Sequence, residues 1–363
     1  MKKFFSAVSA LGLSGMLASG VAFAQIEVSN SNTGAGSLND NEVDVVTDLD
    51  EDVTNSADID NDATADTDTG GNESNENTGD AEVDSGDAEI EGDLENEVNT
   101  AAVDLSTVVF GDVDGEMEND TTGADSDNTN DVDVTQTIEV DLDNGATLLN
   151  TLGLTAASGA NTANENTGDA DVESGDGEIS AEVMNEINAA LGLAATFGDV
   201  GIDASNDTTG ADSLNSNDVT VVQDVDMDVT NAADVTNTID STVDTGGNEA
   251  DENTGSGSVD TGDAEADTEI ENSVNVGGSG FDVSMPDVDV ETSNDTTGAD
   301  SDNTNDVDVA NTASTVVDND ATVGSDVVSV SDSGGNTANE NTGDGSVSTG
   351  DASVGISITN TVN

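Results

Sequence analysis

Asn77-Thr78-Gly79-Asp80-Ala81-Glu82-Val83-Asp84-Ser85-Gly86-Asp87 decides how the chain is read, because versions of it return three more times. The glycine of its Asn-Thr-Gly recurs at Gly168, Gly255 and Gly343, in steps of 89, 87 and 88 residues. Its second glycine, Gly86, recurs as Ser/Thr-Gly-Asp at Gly175, Gly262 and Gly350 in the same steps. Upstream, Thr-Gly-Ala places its glycine at Gly34, Gly123, Gly210 and Gly298, again in the same steps. Three landmarks in one register define a tandem array of four repeats of about 88 residues, not chance low complexity.

Each repeat closes on Asn-x-aliphatic-Asn, ending at Asn99, Asn188, Asn275 and Asn363. The reading is therefore a signal segment at 1–24, then repeats at 25–99, 119–188, 206–275 and 294–363. Less acidic joints lie between them at 100–118, 189–205 and 276–293. Every phenylalanine beyond the signal sits in a joint, at Phe110, Phe197 and Phe281. Stacked repeats bury their largest side chains where they meet, so these are read as apolar plugs between repeats; a docking knob for another molecule is the rival.

Period-two alternation follows each Thr-Gly-Ala. Val132, Val134, Ile138, Val140 and Leu142 alternate with Asp131, Asp133, Glu139, Asp141 and Asp143. Val225, Met227 and Val229 do the same against Asp224, Asp226 and Asp228. This is the pattern of half-buried strands. Gly, Asn, Asp and Ser punctuate the runs as turns require. Asn144-Gly145 reads as a hairpin turn, and 181–195 is the one stretch with a helical look. Proline is confined to Pro286, so little blocks sheet pairing. The predicted fold is all-β: four tandem repeats forming a β-solenoid or a string of small β-sandwich units. Its rival is a chain disordered without cations, which the composition alone favours.

The chain carries 81 Asp and Glu and only two basic residues, Lys2 and Lys3. Those two precede an apolar stretch, Phe4 to Val21, and a small-x-small site at Ala22-Phe23-Ala24, which reads as a secretion signal cleaved before Gln25. The mature chain is thus expected outside the cell, secreted or at the cell surface, with no transmembrane segment. Having no cysteine, it gains nothing from an oxidising compartment. Trypsin should leave it whole. A polyanion of this kind repels nucleic acid. Without His, Cys, Tyr or mature Lys, most general bases are missing, and no Arg or Lys is there to stabilise an oxyanion. A glycosidase needs only two carboxylates, but its sugar sites also want aromatic platforms. The chain is read as no enzyme.

Carboxylates at i and i+2 of a strand face lie ~6.6 Å apart and repel by about 0.6 kcal/mol per pair in water. Dozens of such pairs outweigh the ~5–15 kcal/mol that holds a typical domain. Counter-ions are therefore expected, and Ca²⁺ suits a set of carboxylates and amide carbonyls outside a cell. The candidate ligands are Asp80, Asp87, Asp169, Asp176, Asp263 and Asp351, each just after a turn glycine, and the ladder Asp224, Asp226 and Asp228. Asp131 and Asp133, then Asp306 and Asp308, form further ladders. Asp141-Leu142-Asp143-Asn144-Gly145 begins like an EF-hand loop but lacks its spacing and closing Glu. A solvated face that keeps the protein soluble in brine is the alternative account of this acidity.

The strings Gly70-Gly71-Asn72, Asn75-Glu76-Asn77-Thr78-Gly79-Asp80-Ala81 and Ser85-Gly86-Asp87-Ala88 resemble those of exported bacterial repeat proteins built from Thr-Gly-Asn, Asn-Thr-Gly and Thr-Gly-Asp-Ala units. That resemblance spans all four repeats and implies no activity. A looser similarity to curlin-type fibre subunits implies stacked short strands and fibre formation. This chain departs from them by placing Asp where uncharged amides would stack. The expected function is that of a secreted acidic structural or adhesive protein of the cell surface or extracellular matrix. It would bind divalent cations and associate head to tail with itself. The alternative is a disordered polyanion that buffers cations or templates mineral.

Overall fold

The computed structural model describes residues 2–10, 24–99, 108–188, 192–276 and 280–362. Most of the apolar stretch of the signal, the first part of the first joint and the terminal Asn363 lie outside these residues, as do the side chains of Lys2, Lys3 and Phe281. Strand β1 spans Lys2–Ala10. The first rung holds β2 (Ala24–Ser31), β3 (Leu38–Asp68), β4 (Ala81–Asp84) and β5 (Ala88–Val98). The second holds β6 (Val108–Val109), β7 (Val113–Asp120), β8 (Asp127–Ala157), β9 (Ala170–Ser174) and β10 (Gly177–Ile187). The third holds β11 (Gly192–Thr196), β12 (Val200–Asp207), β13 (Leu214–Asp244), β14 (Gly257–Thr261) and β15 (Ala264–Val274). The fourth holds β16 (Gly280–Ser284), β17 (Val288–Asp295), β18 (Asp302–Asp332), β19 (Gly345–Ser348) and β20 (Ala352–Val362).

Every strand pairs in parallel with its counterpart in the next rung. The long strands form one sheet in the order β18-β13-β8-β3, with Val43, Val132, Val219 and Val307 in one row. The fold is thus a β-solenoid of four rungs and not a string of separate sandwiches. Each rung is two layers deep. A 31-residue strand forms the front, and shorter strands return across the back. Valines from β7 and β12 cover the first third of the front, around Val132, Val134, Val219 and Val221. The middle is covered by Phe110, Ala195 and Phe197, which pack on Ile138, Val140, Val225 and Met227. The last third lies under Ile90, Ile179, Val183 and Ile270, which pack on Leu152, Leu154 and Ile239.

The alternation read from the sequence holds: Val132, Val134, Ile138, Val140 and Leu142 are buried, as are Val225, Met227 and Val229. Phe110 and Phe197 are interior plugs, their rings 5.5 Å apart and tilted by 49° on successive rungs. Two local expectations fail. Asn144-Gly145 makes no hairpin, because β8 runs straight through it, with Asn144 buried between Asn55 and Asn231. The helical look of 181–195 is overturned by β10, which pairs with β5 and β15 on its two sides, and by β11, which pairs along its length with β16.

The Thr-Gly-Ala motif marks the corner where the back layer turns into the front. A Cβ on Gly123 would lie 2.3 Å from the backbone nitrogen of Ala35, and one on Gly210 would lie 2.3 Å from that of Ala124. Stacked corners approach too closely for a side chain. A strand of 31 residues is ~100 Å long, while four rungs at ~4.8 Å separation stack to only ~15–20 Å. The molecule is therefore much wider across its strands than it is tall along its stack.

Candidate functional site: carboxylate rows held in register

The register that aligns the acids is set by asparagine inside the solenoid. Asn30, Asn119, Asn206 and Asn294 form one ladder, with side-chain amides donating to the next rung at 3.1, 2.9 and 2.9 Å. Asn41, Asn130, Asn217 and Asn305 form a second, at 2.8, 2.8 and 2.9 Å. The two are cross-linked across the corner, for example from Asn206 to Asn217 at 3.0 Å. At the far end Asn96, Asn185, Asn272 and Asn360 form another ladder. It is tied to the front layer through Asn185 and Asn237 at 3.1 Å. A buried amide left unpaired costs ~1–3 kcal/mol, so a slip by one residue would break these ladders and expose the valine rows together. The expectation that Asp takes the places of stacked amides is corrected here: the interior stacks amides, and Asp stays outside.

With rungs in register, acids at equivalent positions become rows one strand spacing apart. Glu42, Asp131, Asp218 and Asp306 form a row of four on the front face. Asp50, Glu139 and Asp226 form the next, followed by Asp52, Asp141 and Asp228. On the back, Glu27, Glu116, Asp203 and Glu291 form another row of four. Two charges ~4.8 Å apart repel by about 0.9 kcal/mol in water, more than the i, i+2 pairs along a strand. The chemistry registers this. Partial burial raises the Asp131 carboxyl above the ordinary carboxylate range, and its neighbours Asp133 and Asp218 raise it further. Asp50 raises Glu139, with desolvation and Asp141 adding to it. Asp141, Glu118 and Glu178 are raised by desolvation first, and then by Asp52, Asp120 and Glu89 respectively.

The candidate ligands fall into two groups. Asp224, Asp226 and Asp228 are exposed on the front face, where Asp226 and Asp228 continue the rows of Glu139 and Asp141. The hydroxyl of Thr312 donates to Asp224. The corner aspartates do something else. The Asp80 carboxylate accepts the backbone N–H of Asp169 at 3.0 Å, and Asp169 accepts that of Ser256 at 2.7 Å. Asp87 accepts from Asp176, Asp176 from Asp263 and Asp263 from Asp351, at 3.0, 2.8 and 2.8 Å. These carboxylates clamp one corner to the next, using one oxygen each and leaving the other for solvent. No group of three or more Asp or Glu side chains among the described residues is arranged to hold a metal ion.

Sequence reasoning did not single out the back-face groove over β2, β7, β12 and β17. It has a volume of about 360 Å³, and six carboxylates line it: Glu27, Asp114, Glu116, Asp203, Asp289 and Glu291. Gly201 stands in the outward-facing row between Asp114 and Asp289, where a side chain would otherwise enter the groove, whereas Gly115 faces inward on Met117 and Ile202. The signal was available in the matching Val-x-Gly and Val-Gly-Ile strings after each Phe-Gly-Asp, but those strings lie in joints read as connections. Among the described residues there is no helix, and none long and apolar enough to cross a membrane. Comparison with protein-family models, with curated proteins and with solved structures finds no match to this chain.

Proposed function

We propose that this chain is an exported, non-enzymatic structural protein of the cell surface or extracellular matrix that binds divalent cations, Ca²⁺ foremost, along its carboxylate rows. The observation that carries the reading is the row Glu42, Asp131, Asp218 and Asp306, with one acid in every rung. Neighbouring carboxylates ~4.8 Å apart can share a cation whose oxygen ligands sit at ~2.3–2.6 Å, and Ca²⁺ accepts the irregular remainder of its shell from water and amide oxygens. Binding is thus spread along lines and not enclosed in single sites. Adhesion follows from the same chemistry, since one ion can bridge rows on two surfaces. The non-enzymatic part is supported by the back-face groove, which offers carboxylates but no aromatic wall and no base other than carboxylate.

The test is thermal unfolding followed by circular dichroism, first in chelator at low ionic strength and then with millimolar CaCl₂. The melting temperature should rise with Ca²⁺ by more than it does with NaCl of equal ionic strength. A protein that is compact and heat-resistant in chelator, and indifferent to Ca²⁺, overturns the reading.

A further inference from the structure

Among the described residues nothing covers the face of the fourth rung, and the first rung is covered only along β5, by β1. Val307, Val309 and Val317 of β18 stand in the same rows as buried Val219, Val221 and Val229, yet they are 42, 44 and 38 % exposed. Val354, Ile356 and Ile358 of β20 are 44, 49 and 42 % exposed in the same way. This is the interior of the stack cut across, on a face ~100 Å long.

The two cut faces are complementary in polarity. The asparagine ladders donate from each rung to the next, as from Asn39 to Asn128 to Asn215 to Asn303 and from Asn55 to Asn144 to Asn231 to Asn319. The donor end of each ladder is therefore on the fourth rung and the acceptor end on the first. The corner aspartates run the other way, so Asp351 ends its ladder as an acceptor and Asp87 begins it as a donor N–H. Like ends brought together would set donor against donor; unlike ends continue every ladder.

One inward-facing row of the long strands carries an acid. Glu51, Val140, Met227 and Thr315 share an inward-facing position. In the middle rungs it is apolar and buried, with Val140 and Met227 each 1 % exposed. Both terminal rungs make it polar. An inward-pointing charge on an edge strand is a known guard against unwanted pairing, because burying it alone is costly. The first-rung edge nonetheless accepts a strand: β1 lies parallel on β5, with Lys2 opposite Ile90 and Ala10 opposite Val98. That is the place β20 of another molecule would take.

We propose that the fourth rung of one molecule docks in parallel register on the first rung of a second copy, building a polar filament, and that Glu51 gates this contact. In that register Val309 meets Val45 of the second copy, Asn303 meets Asn39, and the Thr315 hydroxyl lies one strand spacing below Glu51, able to donate to it. The contact is heterologous and does not close, so it propagates. It rests on the cation reading above, because stacking lengthens every acid row.

The experiment is sedimentation velocity on the form beginning at Gln25 and on the full chain, each with millimolar CaCl₂ and in chelator. The Gln25 form should assemble with Ca²⁺. The full chain, with β1 on the β5 edge, should need at least about tenfold more protein, and an equal threshold overturns the register. Glu51→Val should lower the threshold about tenfold. Val309→Asp and Ile356→Asp, both at exposed positions, should abolish assembly while the monomer's circular dichroism stays unchanged. Monomer throughout, in Glu51→Val as well, overturns stacking even if Ca²⁺ raises the melting temperature. Assembly that is as strong in chelator supports stacking and removes the cation reading instead.

Discussion

Asn119 donates its side-chain amide to Asn206 at 2.9 Å, and both side chains are fully buried, 87 residues apart in sequence. Asn206 in turn donates to Asn294 at 2.9 Å and to Asn217 at 3.0 Å. Replacing Asn206 with Leu removes one acceptor and one donor from the middle of two linked ladders. Each buried partner left unsatisfied costs ~1–3 kcal/mol, so a loss of about 3 kcal/mol is expected in urea unfolding. Asn294→Leu, on the half-buried end rung, should cost under about 1 kcal/mol. Equal losses at the two sites would show that the ladder does not depend on having a rung on each side.

The Thr-Gly-Ala corner makes a sharper contrast. An added methyl at Gly210 would meet the Ala124 backbone nitrogen at 2.3 Å and the Gly123 carbonyl carbon at 2.5 Å, whereas at Gly34 nothing lies within 4 Å. Gly210→Ala should therefore force rungs apart and cost at least about 2 kcal/mol, while Gly34→Ala stays within ~0.5 kcal/mol of the parent. The same motif is strict where another rung lies against the corner and tolerant where none does. Urea midpoints of the two variants settle this, and a destabilised Gly34→Ala would mean that the turn itself demands glycine.

Much of the architecture was legible because a solenoid writes its register into its sequence. The steps between Gly79, Gly168, Gly255 and Gly343 are the offsets at which strands pair, and the Val132 to Leu142 alternation gave the buried face directly. The asparagines were not legible. Asn119, Asn130 and Asn206 have the local look of turn residues, and their partners lie a full rung away, beyond the reach of any window-based pattern. For the same reason Asn144-Gly145 reads as a hairpin when taken alone. Among the candidate ligands, Asp224, Asp226 and Asp228 stand where alternation put them. Asp80 and Asp87 were identified by their turn glycines, but what those glycines mark is a close approach of rungs, which hands the carboxylates to the N–H groups of Asp169 and Asp176.

One ladder is incomplete in a way that can be repaired. Gln223 donates to Gln136 at 2.8 Å, but its own side-chain oxygen is buried without a partner. The residue facing it on the fourth rung is Asn311, one methylene shorter than glutamine. Asn311→Gln should supply the missing donor and stabilise the fold by about 1–2 kcal/mol. The gain should vanish in a Gln223→Leu background, and a gain that persists there would point to another cause.

Ala160 occupies a corner where its equivalents are Gly71, Gly247 and Gly335, all with φ near +70°, and it adopts φ +59° itself. A left-handed alanine is strained by roughly 1–2 kcal/mol, and glycine's extra freedom in the unfolded chain returns part of that. Ala160→Gly should stabilise by about 0.5–1 kcal/mol in the same unfolding measurement, where a loss would show that its methyl group packs usefully.

Acidification should strengthen this fold before it weakens it. Asp131, Glu139, Asp141, Glu118 and Glu178 have folded-state pKa values raised above those of the unfolded chain, by desolvation and by the acids beside them. Between the raised values and the ordinary carboxylate range the folded state holds more protons than the unfolded one, so stability rises as pH falls through that window. The sign is opposite to that of carboxylates held in salt bridges, of which a chain without mature cations has none to offer. In chelator, the melting temperature should climb from pH 7 towards about pH 5, and Asp50→Asn, which relieves the largest influence on Glu139, should flatten the climb. Saturating Ca²⁺ should flatten it as well, since a shared ion removes the same repulsion that a proton does. A melting temperature that falls steadily across this range would mean that the rows are already neutralised by something other than protons or added metal.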